Sequence, residues 1–141
     1  ETGANTLWGY INDARNNTQY TIHEQGVCIG LATVDALIED EALMNVLKEK
    51  GIFLEMCYTS NLQTKTVEKP EKYPLVPFLS KGLGVTLNTD NLTVSGTSLR
   101  REYTLVQKAF SLEDAVLQKI AMNAVQASFM TEKEKELMKK R

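Results

Sequence analysis

Apolar positions along the chain change their period several times, and each change predicts an element. Leu7, Trp8, Ile11 and Ala14 recur at helical spacing behind Asn5 and Thr6, which predicts a helix over 6–15 that ends at Asn16 and Asn17. Segments 20–23 and 27–31 read as extended, and the Glu24-Gln25-Gly26 interruption between them is either a bulge or the strand's exit. Asp40 is placed to cap a helix whose Leu43, Val46, Leu47 and Lys50 share a face, and Gly51 supplies a left-handed stop just after it. A short apolar strand over 52–57 follows at once. The polar stretch 58–74 holds Pro70 and Pro74, which predicts a surface loop leading into a short helix over 75–81 that Gly82 closes.

Residues 85–88 form another apolar run, after which 89–97 reads as a loop. Leu99, Tyr103, Val106 and Phe110 then line one helical stripe. Ser111 with Asp114, and Thr131 with Glu134, have the spacing of capping boxes that start two closing helices. Strands alternating with helices imply parallel strands joined by right-handed crossovers, because antiparallel neighbours need only hairpins. The class is α/β. Three such strands with helices on one side cannot cover both sheet faces and both edges, whereas eight units close into a barrel without edges. The expected architecture is therefore the C-terminal part of a TIM-type (β/α)8 barrel with closing helices, a single partial-barrel domain over 1–141.

Composition narrows the partners. The 141 residues are 43% hydrophobic and 24% charged, with a formal net charge of −2. No apolar run approaches the ~18 residues of a membrane span, and no basic surplus exists to neutralise phosphates. Neither a membrane nor a nucleic acid is an expected partner. Cys28 and Cys57 lie in apolar stretches, the setting of reduced core thiols, so the expected location is the cytoplasm. Trp8, Tyr10, Met44 and Phe53 lie at apolar spacings and read as core, and Gly82-Leu83-Gly84 reads as a turn without the spacing of a phosphate loop.

In barrels of this kind the working residues lie beyond the C-terminal ends of strands. Here the strands run into His23-Glu24-Gln25, Tyr58-Thr59-Ser60-Asn61 and Asn88-Thr89-Asp90-Asn91. By residue type alone these clusters are equally turns and helix caps, since Asn, Asp, Ser and Thr favour both.

Three stretches decide between the readings: Leu-Glu-Met-Cys-Tyr-Thr-Ser-Asn-Leu-Gln-Thr over 54–64, Val-Thr-Leu-Asn-Thr-Asp-Asn over 85–91, and Val-Ser-Gly-Thr over 94–97. In that order they resemble the adenosine deaminase family, and Glu102-Tyr103 and Asn123 to Phe129 extend the likeness. Glu1-Thr2-Gly3 resembles the tail of the family's His-Ala-Gly-Glu segment, with its first three residues missing. The resemblance implies a barrel hydrolase in which a zinc-activated water attacks C6 of adenosine and ammonia leaves, giving inosine. It implies Asp90 as the zinc-binding carboxylate, Glu1 as the catalytic proton shuttle and Ser60 as a residue near the substrate.

The chain also departs from the family pattern. The usual Asn-Thr-Asp-Asp is Asn-Thr-Asp-Asn, so Asn91 stands where a carboxylate helps to hold substrate and water. The Gly-His-Gly-Val motif, whose histidine orients the attacking water, is replaced by His23-Glu24-Gln25-Gly26-Val27, so His23 is either the candidate for that catalytic role or a hydrogen-bonded structural histidine. Tyr58 replaces the usual proline after Cys57. The family's remaining zinc ligands are histidines on earlier strands, and catalytic zinc needs three or more protein ligands. The expectation is therefore a C-terminal portion that binds no zinc by itself and is inactive alone. Its expected partners are a complementary N-terminal barrel half or a second copy; the alternative is a catalytically dead half-barrel serving association.

Overall fold

A computed structural model describes residues 21–23, 26–28 and 41–140. The helix expected over 6–15, Glu1 and the Asp40 cap lie outside them. The described strands form one sheet in the order β1 (Thr21–His23), β2 (Gly26–Cys28), β3 (Phe53–Met56) and β4 (Val85–Leu87). β2, β3 and β4 are parallel, with Val27 opposite Leu54 and Leu54 opposite Val85. The first pair corrects the all-parallel expectation: β1 runs antiparallel to β2, with Ile22 opposite Val27. Residues 24 and 25 alone separate these strands, far fewer than the dozen or so that a parallel crossover needs.

Helix α1 (Glu41–Glu49) buries Leu43, Met44 and Leu47, while Lys50 stays exposed beyond its end. Gly51 takes φ 64° there, the left-handed geometry that stops a helix and turns the chain into β3. Leu54, Met56, Val85 and Leu87 point to one sheet face and join Leu47, Leu75, Phe78, Val106 and Ile120 in a continuous core. The opposite face of the same rungs carries Glu55 and Thr86.

Two predicted loops contain helices. The stretch 58–74 opens with α2 (Tyr58–Gln63) and includes a 3-10 turn at Pro70–Lys72 before α3 (Leu75–Ser80). Helix α2 forms because the Asn61 side chain accepts from the Cys57 N–H at 3.2 Å, and the Tyr58 ring is buried against Tyr73 and Phe110. That ring fills the place where the family pattern has proline. The stretch 89–97 contains the single turn α4 (Leu92–Ser95), which Asn91 starts and Gly96 ends at φ 59°.

Helix α5 (Leu99–Phe110) carries the predicted stripe, with Val106 fully buried but Leu99 half exposed at its start. Ser111 does not cap the next helix. It ends α5 in the left-handed conformation, φ 50°, and α6 (Asp114–Ala127) follows Glu113 with no side-chain cap. The Thr131–Glu134 capping box is formed as read, and it opens α7 (Glu132–Lys139). Helix α6 lies on β4, where Asn123 Nδ2 donates to the Val85 carbonyl at 2.9 Å. No helix among the described residues is long and apolar enough to cross a membrane.

Candidate active site

The site is built where β3 and β4 end. Chain direction puts both exits at the same end of the sheet, and Asn88 N–H donates to the Met56 carbonyl at 2.9 Å, extending the ladder one step beyond β4. Past that bond the two exits diverge: β3 enters α2 directly, and β4 continues through Asn88, Thr89 and Asp90.

Ser60 is buried in α2, and its Oγ donates to Asp90 Oδ2 at 2.8 Å. Asp90 is exposed and sits at φ 55°. A left-handed backbone costs a non-glycine residue about 1–2 kcal/mol, and Asp is among the residues that bear it best. It persists because both flanks are fixed: Ser60 holds the carboxylate, and the next residue starts a helix. Among the described residues Asp90 Oδ1 accepts no hydrogen bond.

Asn91 Oδ1 accepts from the Thr93 and Val94 N–H groups, each at 3.1 Å, so this side chain is the N-cap of α4. A carboxylate would make the same two bonds, which accounts for how Asn stands at this position without loss of the turn. The exchange removes a charge and adds an amide donor on an exposed residue.

Every polar residue of the Thr59–Thr64 stretch has a partner. Thr59 donates through its N–H at 2.9 Å and through its hydroxyl to Glu102. Asn61 Oδ1 also accepts from the Tyr73 hydroxyl at 3.3 Å. Gln63 Nε2 donates to the Ser95 carbonyl at 3.0 Å, and Thr64 Oγ1 donates back to the Ser60 carbonyl at 2.9 Å. The stretch is therefore the seam that binds the exit of β3 to the exit of β4.

Sequence reasoning missed two members of this seam, Glu102 and Gln63. Glu102 had a signal: it lies four residues before Val106, on the apolar stripe of α5, where a carboxylate has no packing role. Gln63 had none, because its acceptor is a backbone carbonyl far along the chain. Burial, followed by the nearby Glu71 and Glu102 carboxylates, raises the Tyr58 phenol above its ordinary value of 10.0.

The remaining candidates are His23 and Glu1. His23 pairs with Gly26, and Gly26 lies opposite Phe53, so the β1 backbone at His23 is level with the start of β3. The Ser60 and Asp90 loops leave from the other end, about 10 Å along the strand direction. The antiparallel course of β1 is the cause. The His23 side chain and Glu1 lie outside the described residues. Among the described residues no group of three or more His, Cys, Asp or Glu side chains is placed to hold a metal ion. These residues alone do not fit a zinc site.

Comparison with known proteins bears on the family and the fold. Residues 33–141 match the sequence model of the family described as adenosine deaminase. The chain is 42% identical over 103 residues to an adenosine deaminase of Clostridium perfringens (strain SM101 / Type A), covering 73% of this chain and 31% of that protein. It is 46% identical over 96 residues to one of Clostridium botulinum (strain Okra / Type B1), covering 67% of this chain and 28% of that protein. The chain thus spans about a third of the length of these curated relatives. Among solved structures, an adenine deaminase from Arthrobacter aurescens superposes with a TM-score of 0.70 at 23% identity, over 78% of this chain and 32% of that one. The apo N6-methyl-AMP deaminase from Arabidopsis thaliana gives 0.64 at 23% identity, over 76% and 35%. At that identity the structures speak for the fold alone, a parallel sheet with its helices. With the family match covering more than half of its length, the chain belongs to the adenosine deaminase family.

Proposed function

We propose that this chain is the C-terminal portion of a TIM-type barrel and forms one wall of a zinc-dependent adenosine deaminase site, with adenosine as substrate and inosine and ammonia as products. The observation that carries the reading is the Ser60–Asp90 bond at the ends of two parallel strands. It holds an exposed carboxylate by one oxygen, as a neighbour that orients a metal-ligating carboxylate does. Asn91 follows it in sequence and caps the next turn. Glu1 is the proposed proton shuttle. With one metal arm supplied here, the reading requires a complementary N-terminal barrel half to bring the other ligands, and the chain alone is inactive. The proposed setting is cytoplasmic.

The test is complementation. The purified chain is mixed with the N-terminal two thirds of a related adenosine deaminase and zinc, and the ultraviolet change from adenosine to inosine is followed. Deamination that needs both pieces and disappears in Asp90→Ala supports the reading. A folded, zinc-loaded complex that leaves adenosine untouched sinks it.

One observation favours a second reading, a half-barrel kept for association. Asn91 has replaced a carboxylate while retaining its capping bonds, as expected where the fold is maintained and the chemistry is not. On that reading the chain pairs with itself or with the complementary half, and the same complex forms without turnover.

A further inference from the structure

We propose that Glu102 is a positioning residue, a buried carboxylate that fixes the two strand-exit loops and so sets the contact between Ser60 and Asp90. The inference rests on the deaminase reading for the use of that contact, though not for its existence.

Glu102 is 0% exposed. No lysine or arginine among the described residues pairs with it; its partners are neutral donors from two loops. Oε2 accepts from the Thr59 N–H at 2.9 Å, and Oε1 accepts from the hydroxyls of both Thr59 and Thr97. A carboxylate buried without a cation is costly unless its lone pairs are filled. An apolar residue at this place on α5, beside Val106, would pack without that cost. Core packing therefore does not explain the residue, and its hydrogen bonds do.

The donors are placed for coupling. Thr59 lies in the first turn of α2, where backbone N–H groups have no partner within the helix, and it immediately precedes Ser60. Thr97 follows Gly96, which ends the turn that Asn91 begins beside Asp90. One rigid group thus holds the neighbours of both partners in the 2.8 Å contact. A hydrogen bond weakens steeply once its atoms part by a few tenths of an ångström beyond range, so small loop shifts would break it.

Glu102→Leu, Glu102→Gln and Val106→Ala in the full chain test the idea. The readouts are amide hydrogen exchange at Thr59 and the Ser60–Asp90 distance in crystal structures. Glu102→Leu is expected to speed Thr59 exchange at least tenfold and to open the Ser60–Asp90 contact beyond hydrogen-bond range. Glu102→Gln keeps both near their native values, because its oxygen accepts from Thr59 N–H while its amide donates to the two hydroxyls, which rotate to accept. Val106→Ala, one turn along the same helix, lowers global stability yet leaves the contact intact. The proposal is overturned if Glu102→Leu retains the contact and native exchange, or if Val106→Ala loses them equally. Should Glu102→Leu fail to fold, Thr97→Val removes one hydroxyl only; it is expected to lengthen the contact and speed Thr59 exchange several-fold, and unchanged values would refute the coupling. Neither readout involves zinc or adenosine, so failed complementation leaves this inference standing, and failed coupling leaves the deaminase reading standing.

Discussion

Ser60 Oγ donates to Asp90 Oδ2 at 2.8 Å, joining the exits of two parallel strands through residues 30 positions apart. One partner is buried and the other exposed. The bond consequently carries the order of the interior out to the carboxylate that faces solvent. Ser60→Ala should cost the chain about 1 kcal/mol in denaturant unfolding. In a complemented, active deaminase it should lower zinc affinity or kcat/KM by about 10- to 100-fold, as loss of a group orienting a metal ligand does. Unchanged affinity and turnover would remove Ser60 from the site.

Alkaline stability should depend on Tyr58. Its folded pKa is raised above 10.0, chiefly by burial, so the folded state keeps the proton longer than the unfolded chain does. The phenol's contribution is present below about pH 10 and is lost as pH rises from there through the folded value. Urea unfolding at pH 9 and pH 11 should show a larger fall for the native chain than for Tyr58→Phe, which keeps the ring contacts with Tyr73 and Phe110. Tyr103, likewise raised by burial, adds to the fall in both proteins. Equal falls in the two would show that folding does not raise the Tyr58 pKa.

Thr86 is buried in β4, and among the described residues its hydroxyl has no hydrogen-bond partner. Replacing it with the isosteric valine removes a desolvated polar group and should stabilise the chain by about 1 kcal/mol. A thermal midpoint that drops instead would mean that the hydroxyl is bonded in solution.

Gly84 precedes β4 where the Phe53 ring crosses it. A Cβ there would lie 2.6 Å from Phe53 Cδ1 and 2.8 Å from Cε1, so the ring would have to move. Gly84→Ala should cost about 1–3 kcal/mol, the usual penalty of overpacking, and Phe53→Leu should recover part of it. Native-like stability in the single variant would show that the ring yields freely.

Much of the fold was legible in local pattern. The stripe of Leu43 and Leu47, the Gly51 stop, the apolar runs of β3 and β4, and the Thr131–Glu134 box all rest on interactions within a few residues, and each appears as read. Asp90 and Ser60 were legible as candidates only through the resemblance of 54–64 and 85–91 to the adenosine deaminase family, since polar residues after a strand suit turns and caps as well. Helix α2 was not, since its residues are individually better suited to loops. Its stability comes from Glu102, Asn61 and a buried Tyr58 rather than from propensity.

By itself, then, the sequence determined the succession of strands and helices, the family, and the residue types at the strand exits, because periodicity and capping act over one or two turns of chain. Only the tertiary structure decided that β1 turns back against β2 and carries His23 to the far end of the sheet from Asp90. It alone decided that Thr59 meets Glu102, 43 residues on, inside the core. The choice of partner across such a separation leaves no local trace, since any of several donors could satisfy a buried carboxylate until packing selects one.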